Sequence, residues 1–203
     1  PPPPPPPPPL FFFTPTTAHP ILSGLVGSEM CIRDSPVMER LRKATRKTVN
    51  DRKLRGLALA AIRETFEETG LIVGRPASKP ATTTHPVWRD YFSNGAEPPL
   101  EHMDFIARAI TPAYCTRRFD TRFFMIHDQF IYNDPKQISD ASGELNELHW
   151  LTLNEARQLD LPAVTRWAID LVEQRIQLNP REQLKQSAPF VRFVKGQEIS
   201  TDL

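Results

Sequence analysis

The 203-residue chain carries 25 Lys and Arg against 24 Asp and Glu, a formal net charge of +1, with 39% hydrophobic and 24% charged residues. These proportions suit one globular domain with a real core, and so balanced a charge offers no global field to recruit nucleic acid or a membrane surface. Two cysteines, Cys31 and Cys115, are too few for a disulfide framework or a thiolate metal site, no apolar run approaches the roughly 20 residues of a membrane span, and a reducing, cytoplasmic setting is expected.

Residues 1–9 are all proline, the composition of an extended polyproline II rod without a packed core. The following LFFFTPTTAHPILSGLVGSEMCIRDS, 10–35, sustains neither a period of 2 nor one of 3.6. Its last part, at about 23–35, resembles peptides that arise when sequencing-adapter DNA is translated. Residues 1–35 are therefore expected to be a disordered leader of cloning or assembly origin, outside the fold, with the domain over 36–203.

From Pro36 the texture changes. PVMERLRKATRKT (36–48) places proline at a first helical position and reads as a short basic helix. Nine Lys and Arg fall within 36–63 against Glu39 and Asp51, which reads first as a solvated helix face and second as an anionic-ligand or partner surface. In LRGLALAAIRETFEETG (54–70), Leu54, Leu57, Ala58, Ala61, Ile62 and Thr65 recur at helical spacing, and Gly70 supplies the stop. A short strand is expected at 71–73 and a small helix over 85–95, ending at Asn94-Gly95. Strands are expected at 104–110, 121–127 and 147–153. A short helix should open at Asn154 and a longer amphipathic one at 163–176, with an edge strand in PFVRFVKG (189–196). Strands mixed with helices, without a regular βαβ repeat, indicate an α/β (α+β) layered domain. Trp150 and the Phe123–Phe124 pair read as core, and His127 and His149 as packed or solvent-facing rather than catalytic.

RETFEETG (63–70) raises a chemical question. Positions i, i+3 and i+4 share a helix face, so Glu64, Glu67 and Glu68 point the same way. Like charges at that spacing repel by about 0.2–0.5 kcal/mol per pair. An anion at a helix C-terminus loses about 0.3–1 kcal/mol more against the macrodipole. Arg63 offsets part of this through Glu67 but cannot serve three carboxylates. A divalent cation can, and hard oxygens at this density suit Mg²⁺ or Mn²⁺. The plain alternative is an exposed acidic helix end screened by salt.

The nine residues Arg63-Glu64-Thr65-Phe66-Glu67-Glu68-Thr69-Gly70-Leu71 resemble the second half of the Nudix box. The first half is not matched: Arg55 stands where its glutamate falls and Val49 where its glycine falls. DFIARAITP, RRFDTRFFM and GELNELHWLTLNEARQLDL resemble the insertion-bearing Nudix subgroup that includes acyl-CoA diphosphatases, in which the glycine-rich half lies well upstream. The chain thus resembles that subgroup over about 36–196, truncated on its N-terminal side. The resemblance implies an α/β/α sandwich with a mixed sheet, incomplete at the N-terminus. It implies metal-dependent hydrolysis of a nucleoside-diphosphate-linked substrate, of CoA or nucleotide-sugar type.

By that resemblance Glu67 and Glu68 ligate Mg²⁺ or Mn²⁺, Glu64 completes the cluster, and Arg63 orients the glutamates. A further carboxylate, as metal ligand or general base, is expected at Glu144, with Glu147 second. The run Arg117-Arg118-Phe119-Asp120-Thr121-Arg122 could hold a substrate phosphate through Arg118 and Arg122, or be a surface turn. The expected partner is a small diphosphate, with no nucleic acid and no membrane. Two other readings stand beside this one: a catalytically inactive Nudix remnant, and a binding module built on the basic segment 36–55.

Overall fold

The computed structural model of the protein describes residues 10–14, 36–45, 49–116, 118–134, 150–183 and 185–203. In chain order these form β1 (Leu10–Thr14), α1 (Pro36–Lys43), α2 (Asp51–Thr69), β2 (Arg75–Pro76), α3 (Pro86–Ser93) and β3 (Ala96–Glu97). There follow β4 (Asp104–Ile110), β5 (Asp120–Ile126), α4 (Leu153–Arg157), α5 (Ala163–Ile176), α6 (Pro180–Gln183), β6 (Pro189–Val194) and β7 (Gln197–Asp202).

The main sheet runs β1-β5-β4-β6-β7, with β4 and β6 parallel and the other neighbours antiparallel. Side chains alternate across a strand, so β4 and β5 feed two cores. Phe105, Phe124 and Ile126 point into one, beside Val37, Met38 and Leu41 of α1, Leu54, Ala58 and Ile62 of α2, and Trp88 and Tyr91 of α3. Ile106, Phe123 and Met125 point into the other, against Ala168 and Val172 of α5. The expected layered architecture with a mixed sheet is present: helices cover both faces. This is why Thr121 to Ile126 of β5 are buried without a break. Each buried Phe there stabilises the fold by about 1.5–3 kcal/mol.

The long helix forms for local reasons as well as tertiary ones. Asn50 accepts a hydrogen bond from Lys53 N at 3.0 Å and caps the N-terminus. Leu54, Ala58, Leu59, Ala61 and Ile62 are its buried stripe, and Leu57 packs partly against the same core. Gly70 ends it in the left-handed region, φ 70°, donating its N–H to Phe66 O at 2.9 Å.

Several expectations are corrected. Residues 71–73 are not a strand: their only β-partner is a single bridge, Val73 to Ile131, because a side chain, described below, takes the hydrogen bonds on either side of Leu71. The strand expected at 147–153 falls partly outside the described residues, and 150–152 are not strand. There Thr152 and Glu155 form a reciprocal capping box, which starts α4 at Leu153 rather than Asn154. Trp150, read as core, is half exposed. The segment 189–196 is not an edge. It turns at Lys195 (φ 52°) and Gly196 (φ 79°) into β7, which is the edge strand; two left-handed residues in a two-residue turn match the twist of a hairpin. Leu10–Thr14 falls within the expected leader, and its backbone pairs with β5 from Leu10 opposite Ile126 to Thr14 opposite Arg122. Its residues are rich in β-forming Phe, and the outer edge of β5 accepts them. The basic helix is not wholly a solvated face either: Arg40 is buried against Asp104, while Arg42 pairs with Asp51 and Lys43 with Glu39 at the surface. Among the described residues no helix is long and apolar enough to cross a membrane.

Candidate functional site

The last two turns of α2 carry the candidate residues. Arg63 lies among them as a clamp: Nη1 donates to both Oε1 and Oε2 of Glu67 at 2.9 Å, and Nη2 donates to Glu64 Oε1 at 3.3 Å. One guanidinium thus engages two carboxylates, and Glu68 stands exposed on the same helix end. Thr65 and Thr69 donate their hydroxyls back to the helix carbonyls of Ala61 and Thr65, which satisfies them without drawing on the glutamates.

Glu64 is the unusual member. Its side chain is 20% exposed, and its Oε2 is buried and accepts no hydrogen bond. Burial pushes its carboxyl from the ordinary 4.5 up to about 7; Arg63 opposes the rise, while Glu68 and Glu67 add to it. An acceptor in this state attracts a cation or a proton.

The donor set fits a divalent ion, being hard carboxylate oxygens with one buried atom left over. The arrangement as it stands is not a closed cage. Among the described residues no three His, Cys, Asp or Glu side chains form a group that could hold a metal ion. At this helix end the donors of Arg63 hold Glu64 and Glu67.

Beyond the helix, the chain is tied down from a distance. Asn133 accepts from Ile72 N at 2.8 Å through Oδ1 and donates to Gly70 O at 3.0 Å through Nδ2. The sequence reading missed this residue. The available signal was weak, since Asn-Asp-Pro at 133–135 reads only as a turn.

Glu144, Glu147, Arg117 and His149 lie outside the described residues. Arg118 is exposed. Arg122 is buried in β5, with its guanidinium 3.4 Å from Asp120. Asp120 also takes Arg108 at 2.5 Å, so one carboxylate serves two arginines within the sheet. His127 is half exposed and caps the turn at 128–130, as a non-catalytic residue would.

Comparison with models of known protein families, with curated proteins and with solved structures yields no match for this chain.

Proposed function

We propose that the chain is a metal-dependent hydrolase of a diphosphate bond in a nucleoside-diphosphate-linked substrate of CoA or nucleotide-sugar type, of the Nudix kind that its 63–71 stretch resembles. One observation carries the reading: a carboxylate-rich helix end in which a single guanidinium serves two glutamates, leaving Glu64 Oε2 buried without a hydrogen-bond partner. Glu67 and Glu68 would ligate Mg²⁺ or Mn²⁺, with Glu64 completing the set. When bound, the ion neutralises charge developing on the diphosphate oxygens and lowers the pKa of the attacking water.

The chain's own residues do the rest. Glu64, whose Oε2 stands without a hydrogen-bond partner beside the two proposed ligands, would take the proton of the attacking water there. The water oxygen bonds to phosphorus as the bond to the bridging oxygen breaks. Arg63 holds Glu64 and Glu67 side by side, in the place where they would receive the ion. Glu144 remains the proposed loop carboxylate. A free Cys115 suits the reducing, cytoplasmic setting, and the partner is a small diphosphate rather than nucleic acid or membrane.

The test is hydrolysis of CoA, acyl-CoA, ADP-ribose and NADH with Mg²⁺ or Mn²⁺, run beside the Glu67→Gln, Glu68→Gln double variant. Turnover that falls by about a hundredfold or more in the variant supports the proposal. A folded chain with no turnover on any of the four favours the second reading, an inactive Nudix remnant or binding module. The observation behind that reading is the way Arg63 occupies Glu64 and Glu67.

A further inference from the structure

We propose that Asn133 is the positioning residue of the acidic helix end, holding the last turn of α2 so that Glu67 and Glu68 keep one direction. This rests on the metal-site reading above. Leu71, Ile72 and Val73 are 5%, 3% and 0% exposed, yet they belong to no strand, so their buried backbone groups need other partners. Tyr132 N donates to Ile72 O and Gly74 N to Phe130 O, both at 2.8 Å. Leu71 N donates to Thr69 Oγ1 at 3.1 Å, and the Tyr91 hydroxyl donates to Val73 O at 2.6 Å. The N–H of Ile72 and the C=O of Gly70 are both closed by one side chain, the amide of Asn133.

An amide suits this place because it offers an acceptor and a donor side by side, the pattern of a backbone β-partner. It reaches across 61 and 63 residues of sequence. The last turn of a helix frays unless its carbonyls and the chain beyond are tied, and Gly70 O lies one turn past Glu67. A carboxylate on that turn aims only as well as its backbone is held. Mg²⁺ demands near-ideal geometry, and supporting groups behind ligands typically change metal affinity about 10–100-fold.

The experiment is a Mn²⁺ titration of the full chain, followed by the paramagnetic resonance of free Mn²⁺, with no substrate present. Asn133→Ala should weaken Mn²⁺ binding about tenfold or more. Asn133→Asp keeps the acceptor for Ile72 N, loses the donor to Gly70 O, and should also weaken it; this variant decides the matter should the alanine variant fail to fold. Gln183→Ala is the control for a merely structural role, because Gln183 clamps another helix end through Arg175 O and Leu178 O, each at 3.0 Å. It should leave Mn²⁺ affinity unchanged. Equal affinity in wild type and both Asn133 variants overturns the positioning role and leaves the metal site standing. Parallel weakening in the Gln183 control also overturns it, as a sign of general loosening. If the wild type binds no Mn²⁺, or the Glu67→Gln, Glu68→Gln variant binds it as well as wild type does, the metal reading itself falls, and this proposal with it.

Discussion

Two ionic clusters in this molecule use the same side chains in opposite proportion. Between β4 and α5, Asp104 is shared by two guanidiniums: Arg40 binds Oδ1, and Arg175 binds Oδ2 at 2.9 Å. Both arginines also donate to backbone oxygens, Arg40 to Gln183 O at 3.1 Å and Arg175 to Ser187 O at 2.8 Å. Donors are in excess there and the carboxylate oxygens are both filled. At the end of α2 the ratio is reversed: one guanidinium engages two carboxylates, Glu64 and Glu67, and Glu64 Oε2 is left over. Burial pushes both Asp104 and Glu64 up, but Arg175 and Arg40 oppose it at Asp104, whereas Arg63 alone opposes it at Glu64. The difference separates a closed tie between α1, β4 and α5 from an open site. A buried charge with every partner in place holds a fold together, while a surplus acceptor invites a ligand.

The strongest way to break this contrast is Asp104→Ala. It leaves Arg40 and Arg175, 6% and 3% exposed, without their carboxylate, and should destabilise the chain by about 3–5 kcal/mol in urea denaturation. A loss below about 1 kcal/mol would show that the cluster ties nothing.

The second concerns the open site. A folded-state pKa raised from 4.5 to about 7 means that the native chain holds its proton more tightly than the unfolded one. This contribution is therefore fully present below pH 4.5, falls as pH rises toward 7, and is absent above it. Its size is about 3 kcal/mol. Glu64→Gln should remove that slope and make the chain more stable than wild type at pH 8, with the two converging near pH 4.5. Parallel pH profiles for the two proteins would sink the assignment of Glu64 as the surplus carboxyl.

The smallest effect sharpens the comparison at the helix end. Gly70→Ala forces an L side chain to φ 70° and should lower stability by about 1–2 kcal/mol, read as a shift in thermal midpoint. The same substitution should leave the Asp104 cluster's contribution untouched, which a double variant with Asp104→Ala measures as additivity.

What was legible in the chain follows from local physics. The helix stop at Gly70, the helices over 86–93 and 163–176, and the strands at 104–110 and 120–126 rest on periodicity and turn chemistry acting within a few residues. The crowding of Glu64, Glu67 and Glu68 was equally local, because i, i+3 and i+4 positions meet on any helix. Long-range contacts decided the rest. Residues 71–73 have the composition of a strand but spend hydrogen bonds on Asn133, Tyr132 and Tyr91. Arg122 carries the charge of a phosphate ligand but lies in a strand buried on both faces beside Asp120. Arg40 belongs to a basic run, yet a carboxylate 64 residues away draws it inside. By itself, then, the sequence determined which segments are helical and where negative charge would gather. Only the tertiary structure decided which charges are neutralised, because burial and pairing depend on neighbours that sequence spacing cannot bring into view.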